Sequence, residues 1–574
     1  MLNRTKRVWT VLACVAFSSV WAQSNSQGNS QSAPQSASSE QGITERVMVP
    51  MRDGIRLSTD ILRPAQPGNY PVILMRDPYG GGVPAEAKDW VAHGYVFVSQ
   101  QVRGRGKSEG AFYPYINEIT DGYDTQQWLG SQPWSNGKVG MKGGSYLASA
   151  QWLSAHLRAP ALVAIAPTVT PFNYHQDVMY TGGALSFASR MAWGFSMGGA
   201  NIDDATWDKM LMHLPLKTMD KTFGFSVPHW RDWLAHPSYD AYWKMFDVES
   251  RVSQIDVPSL NIGGWYDTFL HGTLTSYQGM RDHGYSEKAR RGQKLVIGPW
   301  EHFRRSEIGE LQFGPDARID FEALHRRWFD HWLKGQDTGF MQEAPVRIFV
   351  MGTNRWRDEQ EWPLARAQNT KYYLHNGGQL SPSKPAAVSK SDTYIYDPAN
   401  PVPTRGGSLM ARGLTAGPLE QGNLGERDDV LVFSTPKLSK DTEVTGPITV
   451  TLYATSSAPD TDFTAKLIDV HPDGKAYNLV DGIIRARYRE SFENPSLIEP
   501  GKVYAYSIDL WATSNVFKKG HRIRLDISSS NFPRFDRNPN TGHAFGEDAE
   551  LRKATQTIHH SQLYPSHITL PLIP

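Results

Sequence analysis

The segment VGMKGGSYLA, residues 139–148, decides the fold prediction. Its first residues, Val139–Lys142, have the short apolar pattern of a buried strand, and Tyr146–His156 has the apolar spacing of a helix. A serine between a strand and a helix lies on a very tight turn, which places the hydroxyl of Ser145 at the helix N-terminus. The strict pattern G-x-S-x-G is not met, because Leu147 holds the last glycine position. We interpret Ser145 as a nucleophile, with a solvated serine in an ordinary glycine-rich turn as the alternative.

Strand and helix patterns alternate on both sides of this segment. Apolar residues at helical spacing run through Ile119–Leu129, between two strand-like runs. Such alternation is typical of a parallel α/β sheet. The predicted strands outside residues 139–148 are Pro71–Met75, Tyr95–Ser99, Leu162–Pro167, Leu260–Gly263 and Leu295–Gly298.

The alternation is interrupted at two places along the chain. Residues 171–254 are rich in Met, Trp and His and mostly helical in pattern, which predicts a helical cap inserted into the sheet domain. Short alternating segments separated by turn signals predict an all-β jelly roll over residues 365–574. The α/β-hydrolase domain is then expected over residues 43–170 and 255–364.

A serine nucleophile needs a base, because its free hydroxyl reacts weakly at neutral pH. In α/β-hydrolases an acid and then a histidine follow the serine along the chain, each just beyond the end of a strand. Two segments fit this order: IGGWYD, which ends at Asp267, and IGPWEH, which ends at His302. We expect Asp267 to hold the imidazole of His302 in the tautomer that accepts a proton from Ser145.

The oxyanion of a tetrahedral intermediate needs two hydrogen-bond donors. The backbone N–H of Tyr146, at the start of the predicted helix, is the first candidate. The second is expected from the loop after an early strand, and residues 75–82 (MRDPYGGG) form such a loop. The hydroxyl of Tyr79 in this loop could donate, and a packing role for Tyr79 is the alternative.

The N-terminus has the features of an export signal. Three basic residues precede a short apolar stretch, and Val20 and Ala22 are the small residues expected before cleavage at Gln23. Residues 1–22 are therefore predicted as a signal peptide, and the Ser/Gln-rich residues 23–42 as a disordered tether. The predicted destination is the periplasm or the exterior. A lipoprotein site at Cys14, the only cysteine, is the alternative.

Several partner classes are disfavoured by composition. The formal net charge is +1 and no basic run interleaves with aromatics, so nucleic acid is not expected as a partner. No later segment is apolar enough for a stable membrane span. No metal site is expected, because the histidines His325, His331, His559 and His560 lack the spacing or partners of ligands. Asp460 and Asp462 are interpreted as a solvated turn.

These motifs resemble the cocaine-esterase-like hydrolases (the CocE/NonD family), which are related to the α-amino acid ester hydrolases and the S15-type Xaa-Pro dipeptidyl-peptidases. The resemblance runs through nearly the whole chain after the tether. It implies an α/β-hydrolase domain with a helical cap and a C-terminal jelly roll. It also implies a triad of Ser145, Asp267 and His302, with Tyr79 and the Tyr146 N–H as oxyanion hole. No metal and no organic cofactor are implied by the resemblance. The matching segments are residues 49–54, 76–80, 134–146, 264–267, 298–302, 460–467, 512–517 and 528–533.

The resemblance also bears on the substrate. Family aromatics wall an acyl pocket, and Trp152 and Phe269 match two of them, whereas Val178 replaces a tryptophan and implies a wider or less aromatic pocket. Gln101 stands where the family usually has an aspartate. The relatives that bind a substrate ammonium carry carboxylates just after the triad aspartate, and residues 268–270 (TFL) offer none. Relatives form oligomers, so a homodimer or higher homo-oligomer is implied.

Three functions follow as hypotheses. The first is a serine hydrolase that cleaves a small-molecule ester, or an amide, through an acyl-enzyme. The second is a dipeptidyl-peptidase-like enzyme or an acylase of β-lactams or α-amino acid esters, which would need an ammonium-binding carboxylate such as Asp177 or Asp203. The third is an exported protein that binds carbohydrate or a partner and retains an inactive hydrolase domain.

Overall fold

The computed structural model describes residues 42–574. The predicted signal peptide, Cys14 and residues 23–41 of the predicted tether lie outside the described residues. Within residues 42–574, no helix is both long enough and apolar enough to cross a membrane.

The first part of the chain forms strands and helices in alternation. The strand predicted at Pro71–Met75 is present and slightly longer, and the helix predicted at Ile119–Leu129 ends at Gly130 as expected. The strands are β1 (Ile43–Pro50), β2 (Arg56–Arg63), β3 (Tyr70–Asp77), β4 (Val96–Gln101), β5 (Ser135–Gly144) and β6 (Leu162–Thr168), and the helices are α1 (Ala87–Ala92), α2 (Glu118–Gly130) and α3 (Tyr146–Ala155).

The segment predicted as a cap, residues 171–254, is mostly helical and contains one small hairpin. It begins with a π-helix at Tyr174–Met179 and ends with a 3₁₀-helix at Glu249–Gln254. Its strands are β7 (Tyr180–Thr181) and β8 (Ala184–Leu185), and its α-helices are α4 (Phe187–Met197), α5 (Asp204–Met212), α6 (Met219–Thr222), α7 (Pro228–Ala235) and α8 (Ala241–Lys244).

The chain then returns to the first sheet. The new strands are β9 (Ser259–Gly264), β10 (Gln293–Gly298), β11 (Val346–Val350) and β12 (Arg355–Glu359), with helices α9 (Leu270–His283), α10 (Glu287–Arg291) and α11 (Phe321–Lys334). The order of the ten strands is β1-β2-β4-β3-β5-β6-β9-β10-β11-β12. The strands from β4 to β11 pair in parallel, and antiparallel strands cover both edges. This arrangement confirms the predicted α/β-hydrolase fold.

The remainder of the chain is a β domain, as predicted. Eleven strands surround a core of aliphatic and aromatic side chains, and β20 pairs with β17 across a long antiparallel ladder. The strands are β13 (Gln368–His375), β14 (Gln379–Ser381), β15 (Asp392–Tyr396), β16 (Leu431–Ser434), β17 (Thr442–Ser456), β18 (Asp462–Val470), β19 (Ala476–Arg485), β20 (Tyr504–Phe517), β21 (Arg522–Ser528), β22 (Ala554–His559) and β23 (His567–Ile573).

The interpretation of Asp460 and Asp462 as a solvated turn is wrong. Both side chains are buried, and each forms an ion pair with an arginine. Asp460 accepts hydrogen bonds from Arg487, while Asp462 and Asp536 both contact Arg485. The carboxylates are buried because these arginines, distant in sequence, bring the compensating charge.

Candidate active site

Ser145 occupies a strained turn between β5 and α3. Its φ is 59° and its ψ is −122°, a conformation that a non-glycine residue rarely adopts. Gly143 has a φ of 135°, and a Cβ at that position would lie 2.6 Å from the Cβ of Leu147. The glycine is therefore required for the close approach of the helix. This geometry matches a nucleophile elbow, although the sequence lacks the strict pattern.

Asp267 and His302 lie in neighbouring loops because β9 and β10 pair in parallel and end at the same edge of the sheet. The Nδ1 atom of His302 is 2.7 Å from Oδ1 of Asp267, and both side chains are buried. The Phe269 ring and the imidazole are nearly perpendicular, with 5.4 Å between ring centroids. With Nδ1 held by the carboxylate, Nε2 is the imidazole atom that can accept a proton.

The hydroxyl of Tyr79 lies at the nucleophile. Burial raises the pKa of the Tyr79 phenol, and hydrogen bonds with Trp193 and Ser145 oppose that rise. The indole Nε1 of Trp193 is 3.4 Å from the Tyr79 oxygen. A phenol with a raised pKa keeps its proton at neutral pH, so it can donate to an oxyanion.

Polar contacts hold the loop that carries Tyr79. The carboxylate of Asp77 accepts from the backbone N–H groups of Tyr79 and Gly81, at 2.8 and 2.7 Å. From the other side, the amide of Gln101 donates to the carbonyls of Gly80 and Gly81, at 3.4 and 3.3 Å. The residue that departs from the family pattern at position 101 therefore supports the Tyr79 loop.

Tyr146 contributes its backbone, while its side chain is anchored elsewhere. It is the first residue of α3, and the first N–H groups of a helix have no intrahelical acceptor. Its hydroxyl donates to Glu118 at 3.1 Å and accepts from the N–H of Tyr115 at 3.1 Å. Glu118 is in turn paired with the buried guanidinium of Arg76. The side-chain contacts fix the orientation of the helix start next to Ser145.

Ser145 opens onto a narrow pocket. Of the three predicted acyl-pocket residues, Phe269 is in its wall. Trp152 and Val178 are not: Trp152 is fully buried against Phe172, with ring centroids 5.3 Å apart, and Val178 is buried in the π-helix. The wall is formed by Tyr115, Ser145, Tyr146, Ser149, Pro171, Arg190, Trp193, Phe269 and Met410.

Arg190 and Trp193 are wall residues that the sequence reasoning missed. Both lie on α4 of the cap, three residues apart, and this spacing puts them on one face of the helix. That spacing alone could have suggested that the two side chains act together. The direction of the face could not be predicted, because it depends on how the cap packs on the sheet domain.

The two carboxylates considered for an ammonium site are both engaged elsewhere. Asp177 accepts from the backbone N–H groups of Phe172 and Asn173 and pairs with His271, at 2.6–2.8 Å. Asp203 caps helix α5 by accepting from the N–H of Thr206 at 2.6 Å. Neither carboxylate is in the wall of the Ser145 pocket.

The histidines considered for a metal are used in packing and hydrogen bonds. His560 contacts Asp392 and Ser389, and His559 contacts Ser391. His325 and His331 lie on α11. Among residues 42–574, one group of three side chains has ligand atoms within 4.8 Å of one another, and it is not in the wall of the Ser145 pocket: Asp469, His471 and His521.

The chain matches two family models in tandem. Residues 53–304 match the X-Pro dipeptidyl-peptidase (S15 family) model, and residues 338–569 match the X-Pro dipeptidyl-peptidase C-terminal non-catalytic domain. The sequence is 38% identical to a cocaine esterase of Rhodococcus sp. (strain MB1 Bresler), over 92% of this chain and 98% of that protein.

Two solved structures share the fold over nearly their whole length. An aminopeptidase of a marine sediment Thaumarchaeota archaeon has a TM-score of 0.83 and 28% identity, covering 96% of this chain and 99% of that one. An α-amino acid ester hydrolase has a TM-score of 0.83 and 29% identity, covering 94% of this chain and 98% of that one. The chain therefore belongs to the X-Pro dipeptidyl-peptidase (S15) family and is a serine hydrolase.

Proposed function

We propose that this enzyme hydrolyses small carboxylic esters through an acyl-enzyme on Ser145. The observation that carries the proposal is the strained turn of Ser145, whose side chain is hydrogen-bonded to Tyr79, at the same sheet edge as the buried His302–Asp267 pair. Such an arrangement supplies a nucleophile, a base, an orienting acid and an oxyanion donor. The likeness to a cocaine esterase over 92% of the chain supports the same reaction class.

The reaction would proceed in two displacements. Ser145 Oγ attacks the ester carbonyl while Nε2 of His302 takes its proton, and Asp267 stabilises the resulting imidazolium. The oxyanion accepts hydrogen bonds from Tyr79 and the Tyr146 N–H. The imidazolium then protonates the departing alkoxide, which leaves an acyl group on Ser145. A water molecule attacks this acyl group by the same route and releases the acid.

The acyl group is proposed to lack an α-ammonium. An ammonium desolvated in a pocket needs a carboxylate partner. The wall around Ser145 contains none, and Asp177 and Asp203 are occupied by other donors. This argument separates the enzyme from the aminopeptidase and the α-amino acid ester hydrolase whose fold it shares.

The test uses two esters that differ in the ammonium group. Wild type and Ser145→Ala would be assayed with p-nitrophenyl phenylacetate and with D-phenylglycine methyl ester. Turnover of the first ester that disappears in Ser145→Ala supports the proposal. A strong preference for the amino ester would contradict the absence of an ammonium site and favour the second candidate, an amino ester hydrolase or peptidase.

Export is part of the proposal and rests on the sequence. Expression of the full chain in a Gram-negative host, followed by fractionation and N-terminal sequencing, should give a periplasmic or secreted protein that begins at Gln23. A cytoplasmic protein with an intact N-terminus would contradict export. The homodimer implied by the relatives stays a prediction, which analytical ultracentrifugation would test.

A further inference from the structure

Arg190 places a buried positive charge in the wall of the Ser145 pocket. The residue is 2% exposed and lies at the end of the first turn of α4, where its side chain faces the pocket together with Trp193. The other wall residues are aromatic, aliphatic or hydroxyl-bearing and carry no negative charge at neutral pH. The guanidinium is thus the charged group of the wall that a bound acyl group would meet.

The guanidinium has few contacts of its own. Its Nε donates to Oγ of Ser189 at 3.1 Å, and its Cζ lies 5.1 Å from the centroid of the Phe269 ring. Its Nη2 is buried and, among the described residues, has no hydrogen-bond partner. A buried cation with an unused donor is less stable than a paired one.

Three other buried arginines of the described residues are neutralised by carboxylates, whereas the buried Arg537 donates to the carbonyls of Pro398 and Met212. Arg76 pairs with Glu118, Arg534 with Asp481, and Arg485 with two aspartates. Arg190 differs from these three, because its side chain faces a cavity instead of an acidic partner.

Neighbouring groups compensate only part of the burial of Arg190. Burial lowers the pKa of Arg190, and Tyr115, Tyr79 and Asp267 act against that shift. Asp267 is the carboxylate of this set; its Oδ1 is bound to His302, and its Oδ2 is buried without a hydrogen-bond partner among the described residues. Since arginine stays protonated in proteins, the pocket keeps a positive charge that lacks a dedicated counter-ion.

We propose that Arg190 binds a carboxylate on the acyl group, so that the preferred substrates are monoesters of dicarboxylic acids. The inference rests on the proposed ester hydrolysis and specifies its substrate class. The planar guanidinium can form two parallel hydrogen bonds with a carboxylate, which neutralises the buried charge and fixes the acyl chain. The ester carbonyl then lies at Ser145 and the free carboxylate at the cap.

The experiment compares three methyl esters of similar length by pH-stat titration of the acid released. Monomethyl glutarate carries the carboxylate, methyl 5-methylhexanoate replaces it with an isopropyl group of similar shape, and methyl 5-aminopentanoate carries an ammonium. We expect wild type to prefer the first over the second by about 10- to 100-fold in kcat/KM, the range for a charge-assisted hydrogen bond. The third should be the poorest substrate, because the guanidinium repels it.

Variants of Arg190 test whether this residue sets the preference. Arg190→Met should reduce the ratio of kcat/KM for glutarate ester to isopropyl ester to about 1, and Arg190→Lys should give an intermediate ratio, since it keeps the charge without the planar fork. Arg291→Met, an exposed arginine on α10, is the matched control and should keep the wild-type ratio. A ratio in Arg190→Met equal to that of wild type would overturn the assignment.

The outcomes separate this inference from the proposed function. If wild type hydrolyses the neutral ester through Ser145 but shows no preference for the carboxylate, the role of Arg190 is refuted and the esterase stands. If no ester is hydrolysed, the proposed function itself fails. Should Arg190→Met not fold, competitive inhibition of wild type by glutaramate and by 5-methylhexanamide, each assayed against the neutral ester, decides. Stronger inhibition by glutaramate supports the proposal, and equal or weaker inhibition by glutaramate contradicts it.

Discussion

Nδ1 of His302 and Oδ1 of Asp267 are 2.7 Å apart at the ends of two adjacent parallel strands. The contact fixes one nitrogen of the imidazole and leaves Nε2 for the proposed proton exchange with Ser145. Because both side chains are buried, water does not compete with the hydrogen bond. The pair therefore sets the tautomer of the base before substrate arrives.

The first prediction follows from this pair. Asp267→Asn should lower kcat by about 10⁴, because an amide stabilises the wrong tautomer and does not stabilise the imidazolium. Steady-state kinetics with p-nitrophenyl phenylacetate measures the change. Asp208→Asn, an exposed residue on α5, is the control and should keep wild-type kcat. A kcat of Asp267→Asn within tenfold of wild type would be incompatible with the assigned role.

Tyr79 is predicted to act in the transition state. Tyr79→Phe should lower kcat by about 10²–10³ and change KM little, because the oxyanion forms only during the reaction. Tyr285→Phe, an exposed tyrosine, serves as the control. An unchanged kcat in Tyr79→Phe would remove the hydroxyl from the oxyanion hole, and a change confined to KM would assign it to substrate binding instead.

The sequence was sufficient for the features that depend on local pattern and chain order. The strand-turn-helix around Ser145 and the positions of Asp267 and His302 after strands follow from hydrophobic periodicity and from the known order of such sites. The wall of the pocket was harder to predict. Arg190 and Trp193 resemble ordinary helix residues, and their direction is set by packing between the cap and the sheet domain.

In the β domain, the burial of Asp460 and Asp462 was likewise not predictable from the local sequence. Two aspartates so close in sequence suggest a solvated turn, but their arginine partners are 27 and 23 residues away along the chain. Non-local charge pairing of this kind leaves no periodic signal. It becomes visible only when the register of β18 and β19 is known.

The buried carboxylate of Asp462 should be important for the stability of the protein. Asp462→Ala would leave the buried Arg485 with one of its two aspartate partners, and removing one member of a buried pair costs about 3–5 kcal/mol. Urea unfolding followed by tryptophan fluorescence measures the loss. Asp473→Ala, on an exposed turn, should change the free energy of unfolding little. Equal stabilities of the two variants would show that the Asp462 ion pair contributes nothing.

The contact between His271 and Asp177 should make the stability of the protein depend on pH. Burial opposes its protonation, but the charge and hydrogen bond of Asp177, with Asp509 and Glu249, raise the pKa of His271 to about 9. Since an unfolded histidine has a pKa of about 6.5, the stabilisation is complete below that pH and is lost as the pH rises to about 9.

Thermal unfolding of wild type and His271→Asn at several pH values measures this effect. The variant should be less stable than wild type at pH 6, and the difference should shrink by pH 9.5. Variant His283→Asn, at the end of α9, controls for general effects of pH. A difference between wild type and His271→Asn that stays constant from pH 6 to 9.5 would contradict a charged His271–Asp177 pair.

The measurement that tests the central claim most directly is the site of covalent labelling. The enzyme would be treated with a p-nitrophenyl alkylphosphonate, which releases p-nitrophenol and leaves a phosphonyl group on an activated serine, and peptides would be mapped by mass spectrometry. The account predicts one adduct, on Ser145, with esterase activity lost in proportion to labelling and no adduct in Ser145→Ala. An adduct on another residue, or activity that survives complete labelling of Ser145, would contradict the assignment of the nucleophile.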